Sequence, residues 1–177
     1  AFYFDIRKDV LYCDPINSSK RKSTLITLNI ILNSLLKWFA PILSFTTEEI
    51  YQLISKKNKS IHLEKFIEYP KKFENSDLYK KWNELLKIRD VCNLSIEEKR
   101  ASKEIGSSLE AAIKIKLNKE NFELTKNIDM SELCITSSVI IEETKDIEIE
   151  VTTKKAKGNK CPVCWKISKN SCARHST

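Results

Sequence analysis

The sequence predicts an α+β fold, mainly α: an antiparallel helix bundle, then a small α/β subdomain, then a short knuckle-like C-terminus. Three observations carry this prediction. Only 2 Gly and 4 Pro occur among 177 residues, which favours long helices over many tight turns. Apolar residues recur three and four apart through two long segments of the first hundred residues. After Gly106 the period drops to two, the signature of strands with one wet face.

The strongest helix covers Ser18 to Phe39. Leu25, Leu28, Leu32, Leu35 and Phe39 form one stripe, and Ile26, Ile30, Ile31 and Leu36 widen it, so burial on more than one side is expected. Ser18 or Ser19 can cap its start, and Pro41 ends it. Thr46-Thr-Glu-Glu49 has capping-box spacing and opens a second helix through Ile50, Leu53 and Ile54. A loop with Lys56, Lys57, Asn58 and Lys59 follows, and residues 61–75 read as extended or irregular. A third helix begins near Ser76 or Asp77, with Leu78, Trp82, Leu85, Ile88 or Arg89, Cys92 and Ile96 on one face. It runs to about Glu104 before Gly106, and the three helices are expected to pack as a bundle.

Beyond Gly106, Ala111, Ile113, Ile115 and Leu117 alternate with Lys114 and Lys116, which predicts a first strand. Residues 119–130 suit a short helix. Leu133 to Ile141 reads as a second strand, and Ile147, Ile149 and Val151 as a third. Lys114 and Lys116 would then face Glu148 and Glu150, an arrangement worth about 0.2–1 kcal/mol per pair.

The C-terminal stretch carries the clearest chemistry. Cys161-Pro-Val-Cys164 and Cys172-Ala-Arg-His175 are two ligand pairs, each with two residues between. Four such ligands suit one tetrahedral zinc ion, and a site with all four positions filled is structural rather than catalytic. A polar segment this short needs such a staple, which gives a zinc knuckle-like C-terminus. The fourth ligand is His175 or a residue beyond Thr177. From Val151 to Thr177 there are seven basic residues and no acidic one, whereas residues 1–150 balance 24 against 24. Lys154, Lys155, Lys157, Lys160, Lys166 and Arg174 are therefore candidate phosphate contacts on an RNA. The alternative for this stem is a solvated linker. Trp165 is either the knob's small core or a platform on which a base stacks. Gly158 lets the chain turn sharply into the metal site.

Other function classes find little support. No apolar run reaches the roughly 20 residues of a membrane-spanning helix, and the first residues do not form a signal peptide. Cys13, Cys92 and Cys134 stand alone and read as buried thiols, the pattern of a reducing, cytoplasmic compartment. There is no glycine-rich phosphate loop and no nucleophile elbow. His62 has no partner for acid–base work. The sequence opens inside an apolar stretch without Met, and is expected to be a fragment of something larger.

Several blocks resemble one family. Tyr3-Phe-Asp-Ile-Arg-Lys-Asp9, Leu11-Tyr-Cys-Asp14 and Ala40-Pro-Ile-Leu-Ser-Phe-Thr-Thr-Glu-Glu-Ile50 resemble the anticodon-binding helical domain of isoleucyl-tRNA synthetases. Ser60-Ile-His-Leu63 with Tyr69-Pro70, and Glu97-Glu-Lys-Arg100 with Ile105-Gly-Ser-Ser-Leu-Glu-Ala111, are similar to later stretches of that family. Cys161-Pro-Val-Cys-Trp165 after Ala156-Lys-Gly158 looks like its C-terminal zinc motif. That motif commonly closes with a second Cys pair, whereas Cys172 and His175 close it here. The family's two nucleotide-binding signatures, His-Ile-Gly-His and Lys-Met-Ser-Lys-Ser, are missing from this sequence.

The resemblance implies a tRNA-recognition region, inactive by itself, of an ATP-dependent isoleucine–tRNA ligase. The implied partners are isoleucine-accepting tRNA and the rest of the parent synthetase, with no membrane. The expected organisation is an anticodon-binding bundle over 1–106, a junction subdomain over 107–152 and a basic zinc-binding segment over 153–177. Two other readings are a stand-alone RNA-binding zinc protein and a structural module docking onto its parent enzyme.

Overall fold

A computed structural model describes residues 2–55 and 59–175. Helices α1 (Phe2–Cys13), α2 (Ser19–Phe39), α3 (Ser44–Ile54) and α4 (Ser76–Ala101) precede strand β1 (Ala111–Leu117). Two short helices, α5 (Lys119–Thr125) and α6 (Met130–Leu133), lead to β2 (Ser138–Glu143) and β3 (Glu150–Lys155). A small hairpin of β4 (Asn159–Lys160) and β5 (Ile167–Ser168) follows. The class is the expected one, mainly α with a small sheet. No helix among the described residues is long and apolar enough to cross a membrane. The loop expected at Lys56, Lys57 and Asn58 falls outside the described residues.

The chain forms two compact units, one of Ala1–Asp9 with Asn75–Thr177 and one of Val10–Glu74. In the second unit, Ser18 caps α2 by accepting the Arg21 N–H at 3.3 Å. Its core is Leu36, Ala40, Tyr51 and Ile61, with Leu32 and Ile50 against it. Glu48 closes the unit from the side, its carboxylate accepting the Ser60 hydroxyl at 2.8 Å and the Ile61 N–H at 2.9 Å. Two expectations are corrected here. Helix α3 starts at Ser44 with Leu43 at its N-cap and no side-chain cap, so Thr46 lies inside the helix instead of capping it. The apolar stripe of α2 is largely exposed: Leu25, Ile26, Ile30, Leu35, Trp38 and Phe39 all stand open, and the helix buries Thr24, Ser34 and Leu36. Hydrophobic period identifies the apolar face, not what covers it.

The other unit is built on a three-stranded sheet of order β2-β1-β3, with β1 parallel to β2 and antiparallel to β3. β1 alternates as expected, burying Ala111, Ile113, Ile115 and Leu117. Against that face pack Leu85, Ile88, Cys92 and Ile96 of α4, with Met130, Leu133 and Cys134 of α6 and its cap. Helix α4 thus gives its buried face to the sheet, and the Ser95 hydroxyl meets that of Thr153 at 2.7 Å. The start of α1, which periodicity did not bring out, joins this core through Phe2, whose ring lies 6.1 Å from that of Trp82. Arg7 bonds Glu132 at 2.8 Å from the same helix.

The later strands are shifted from expectation. Leu133 belongs to α6, because Asp129 caps that turn through the Ser131 and Glu132 N–H groups. β3 starts only at Glu150. Lys116 pairs with Glu150 at 2.9 Å as expected, but Lys114 turns to Glu142 on β2 at 2.7 Å instead of Glu148.

Candidate metal centre and basic stem

The ligand cluster is made by a chain that crosses itself tightly. β3 leads through Ala156 and Lys157 to Gly158, whose φ of 131° lies in the region that favours glycine. A Cβ there would sit 2.1 Å from the Ser168 carbonyl oxygen. Gly158 therefore permits the close approach that pairs β4 with β5. Between those strands, the Cys161 N–H donates to the Lys166 carbonyl at 2.9 Å and the Trp165 N–H to the Cys161 carbonyl at 3.0 Å. Trp165 adopts φ 63° to close this turn, a conformation that costs a non-glycine residue free energy.

The turn brings Cys161, Cys164, Cys172 and His175 together, with all four ligand atoms within 4.8 Å of one another. The two thiols of the first pair are buried. Cys164 and Cys172 Sγ are 3.8 Å apart, and His175 Nδ1 lies 3.5 Å from Cys161 Sγ and 3.3 Å from Cys172 Sγ. A tetrahedral ion with sulfur at about 2.3 Å and nitrogen at about 2.0–2.1 Å requires S···S edges of about 3.8 Å and S···N edges of about 3.6 Å. These three spacings and the donor chemistry suit such an ion, and this group could hold a metal. His175 lies with the three cysteines in this group.

Local electrostatics prepare the thiols. The N–H of Cys164, then that of Val163, with help from the Cys164 thiol and His175, hold the Cys161 thiol down at about 6. That favours the thiolate, the ligand form, at neutral pH. Burial opposes ionisation of Cys172, but N–H groups of Arg174 and His175 and the Cys164 thiol outweigh it and lower its value. Burial keeps Cys164 raised, and binding of a cation would have to draw off that proton.

The basic residues fall into distinct settings. Lys154 and Lys155 lie exposed on β3, and Lys157 is exposed in the following loop. Lys160 on β4 lies 3.7 Å from Glu110 and 5.9 Å from the centre of the Trp165 ring. Lys166 is half-buried. Arg174 is held by Asp9, with both guanidinium nitrogens at 2.8 Å from its two oxygens. Trp165 is 59% exposed, so its ring is a surface and not the knob's core. Nothing local in the sequence marks the carboxylates Asp9 and Glu110 as partners of these cations. Asp9 lies 165 residues from its partner, and no local pattern signals such a pairing. Of the lone cysteines, Cys92 and Cys134 are buried as expected, while Cys13 is half-buried.

The chain is similar along most of its length to several known proteins. The chain is 65% identical over 176 residues to a protein named isoleucine–tRNA ligase from Pelagibacter ubique, covering 99% of this chain and 19% of that protein. It is 40% identical over 181 residues to the protein of that name from Bartonella henselae, covering 96% of this chain and 19% of the relative. The protein so named from Bradyrhizobium diazoefficiens is 39% identical over 180 residues, with 95% and 18% covered. The chain thus spans less than a fifth of the length of these relatives. Residues 1–116 match the family described as the anticodon-binding domain of tRNA ligase, and the chain belongs to that family.

Proposed function

We propose that this chain is the tRNA-recognising region of an isoleucine–tRNA ligase, an enzyme that attaches isoleucine to its tRNA at the expense of ATP. The single observation that carries the reading is the 65% identity to an isoleucine–tRNA ligase along 99% of the chain. The proposed partners are isoleucine-accepting tRNA and the remainder of the synthetase, in the cytoplasm and away from membranes. By itself the chain binds and does not catalyse.

In this reading the metal is one structural zinc held by Cys161, Cys164, Cys172 and His175. It supplies no reaction chemistry; it locks the hairpin that displays the cations. The helical region over 1–106 lies along the anticodon stem, and residues 107–152 join it to the knob at 153–177. Lys154, Lys155, Lys157 and Lys166 form the cationic surface turned to phosphates, with Lys160 and Arg174 beside it, engaged by Glu110 and Asp9. Trp165 offers an exposed ring to a splayed loop base, a contact single-stranded RNA favours. Support comes from the exposure of that ring and from the absence of acidic residues after Val151.

The test is binding of the zinc-loaded chain to isoleucine-accepting tRNA and to an unrelated tRNA at several salt concentrations. Affinity should fall linearly in log–log form with salt, and anticodon substitutions should weaken the cognate complex. Equal binding of both tRNAs, with no response to anticodon changes, removes the specific claim. The alternative of a structural module is favoured by one observation, the ion pairs that Lys160 and Arg174 make with Glu110 and Asp9.

A further inference from the structure

The knob has too little apolar matter to orient itself, so its direction must come from neighbours. Within the sheet unit it is tied down at three points. At the hairpin, the Ile167 N–H donates to Ser137 Oγ at 2.6 Å, and the Ser137 hydroxyl donates onward to the Leu109 carbonyl at 2.5 Å. Ahead of the first ligand pair, Lys160 meets Glu110, whose other oxygen is aimed by the Gly106 N–H at 3.0 Å. Within the second ligand pair, Arg174 grips both oxygens of Asp9 on α1. Arg174 stands between Cys172 and His175, so metal binding fixes its backbone against the hairpin while Asp9 fixes its guanidinium against α1.

The Arg174 contact differs from an ordinary surface pair. It is two-pronged, and its side chains retain only 33% and 22% exposure. A planar fork held on both oxygens has less freedom and more directional strength than a lysine on a rim. To reach a phosphate, Arg174 would first have to abandon Asp9 and leave that carboxylate beside an incoming polyanion.

We propose that Asp9 and Glu110 form a two-carboxylate cradle that docks the metal knob in one orientation, making Arg174 and Lys160 positioning residues that aim Trp165 and the stem lysines at the RNA. This deepens the tRNA-binding reading and rests on it for its function, though the docking itself stands on the geometry alone. The consequence is a sign that separates positioning from contact. If Arg174 touched phosphate, removing the charge of Asp9 would release it and tighten RNA binding. If Arg174 positions, the same change weakens binding.

The experiment uses the zinc-loaded full chain as such and with Asp9→Asn, Arg174→Ala, and the charge swap Asp9→Arg with Arg174→Asp. Binding of isoleucine-accepting tRNA is measured across a potassium chloride series, and amide hydrogen exchange is followed over 159–175 in the same samples. Both single variants should weaken binding about three- to fivefold. Their log–log salt slope should stay unchanged, whereas a lost phosphate contact lowers it by about 0.7–0.9. The swap should recover most of the loss, and exchange in the knob should rise in the single variants with zinc content unchanged. Tighter binding by Asp9→Asn, or a slope lowered by one contact in Arg174→Ala, overturns the positioning role. Unaltered exchange in Asp9→Asn overturns the docking. If the unaltered chain shows no salt-dependent tRNA binding, the tRNA reading fails separately and the exchange result alone decides the cradle.

Discussion

Helices α2 and α4 are the two longest in the molecule as described, and they use their apolar residues in opposite ways. α4 buries Leu85, Ile88, Cys92 and Ile96 to 2% exposure or less. α2 carries at least as many large apolar side chains, yet leaves Leu25, Ile26, Ile30, Leu35, Trp38 and Phe39 open. The difference lies in the neighbours. α4 has a sheet face whose alternate residues are all apolar, and its own period of three to four matches that flat surface. α2 has α3 and a 3-10 turn at Ile61–Leu63, which together cover only the strip around Leu36. Amphipathicity is a property of one segment; burial is a property of two.

That contrast can be broken or sharpened in several ways. The largest effect should come from the segment with neither kind of core. Chelation of the metal, or Cys161→Ser, should abolish metal retention of about one zinc per chain and open 159–175 to protease. Metal analysis with limited proteolysis checks this, and the cores around Leu85 and Leu36 should survive it. Gly158→Ala should act in the same direction, since a methyl there would strike the Ser168 carbonyl; zinc competition titration should show weakened affinity with the helical signal intact.

Next in size are the cores themselves. Leu85→Ala should cost about 2–5 kcal/mol in denaturant unfolding. Ile26→Ala, at 63% exposure, should stay within about 0.5 kcal/mol. A large cost at Ile26 would show that the α2 face is covered in solution, which reverses the comparison.

The smallest effect separates the two units by acid. Gln52 first, then Ser60 and the Ile61 N–H, hold the Glu48 carboxyl below its ordinary 4.5. The Gly106 N–H first, then Lys160 and Lys155, do the same for Glu110. A lowered carboxyl contributes stability that is full above its unfolded value and fades as pH falls through the folded one. Thermal stability should therefore fall as pH drops below about 4.5. Glu48→Gln should flatten that dependence for the Val10–Glu74 unit, and Glu110→Gln for the sheet unit.

Much of this was legible in the sequence because the signals were local. The ligand pairs lie within fifteen residues, the β1 alternation within seven, and the Ser18 cap within three of the N–H it accepts. The helix of Phe2–Cys13 escaped because its covered positions, the partly buried Phe2 and the buried Ile6 and Val10, are too few in a stretch where charged and aromatic residues crowd both faces. The late start of β3 escaped because Ile147, at 86% exposure, keeps the alternation without the partner. Asp9 and Glu110 were invisible for a different reason. Their meaning comes from residues far along the chain, and nothing in a carboxylate's own surroundings announces a distant guanidinium.

The sheet unit is assembled from two separated stretches, with Val10–Glu74 interposed. A ribosome releases Phe2, Arg7 and Asp9 long before Trp82, Glu132 and Arg174 exist. During that interval the first turns of α1 lack every partner just named, while the interposed unit already has all the residues of its core. The helix of Phe2–Cys13 is thus made well before its partners and settles only after them, and closing so long a loop carries an entropic cost that short-range contacts escape. Shielding of that aromatic helix during synthesis is a task the finished fold no longer displays.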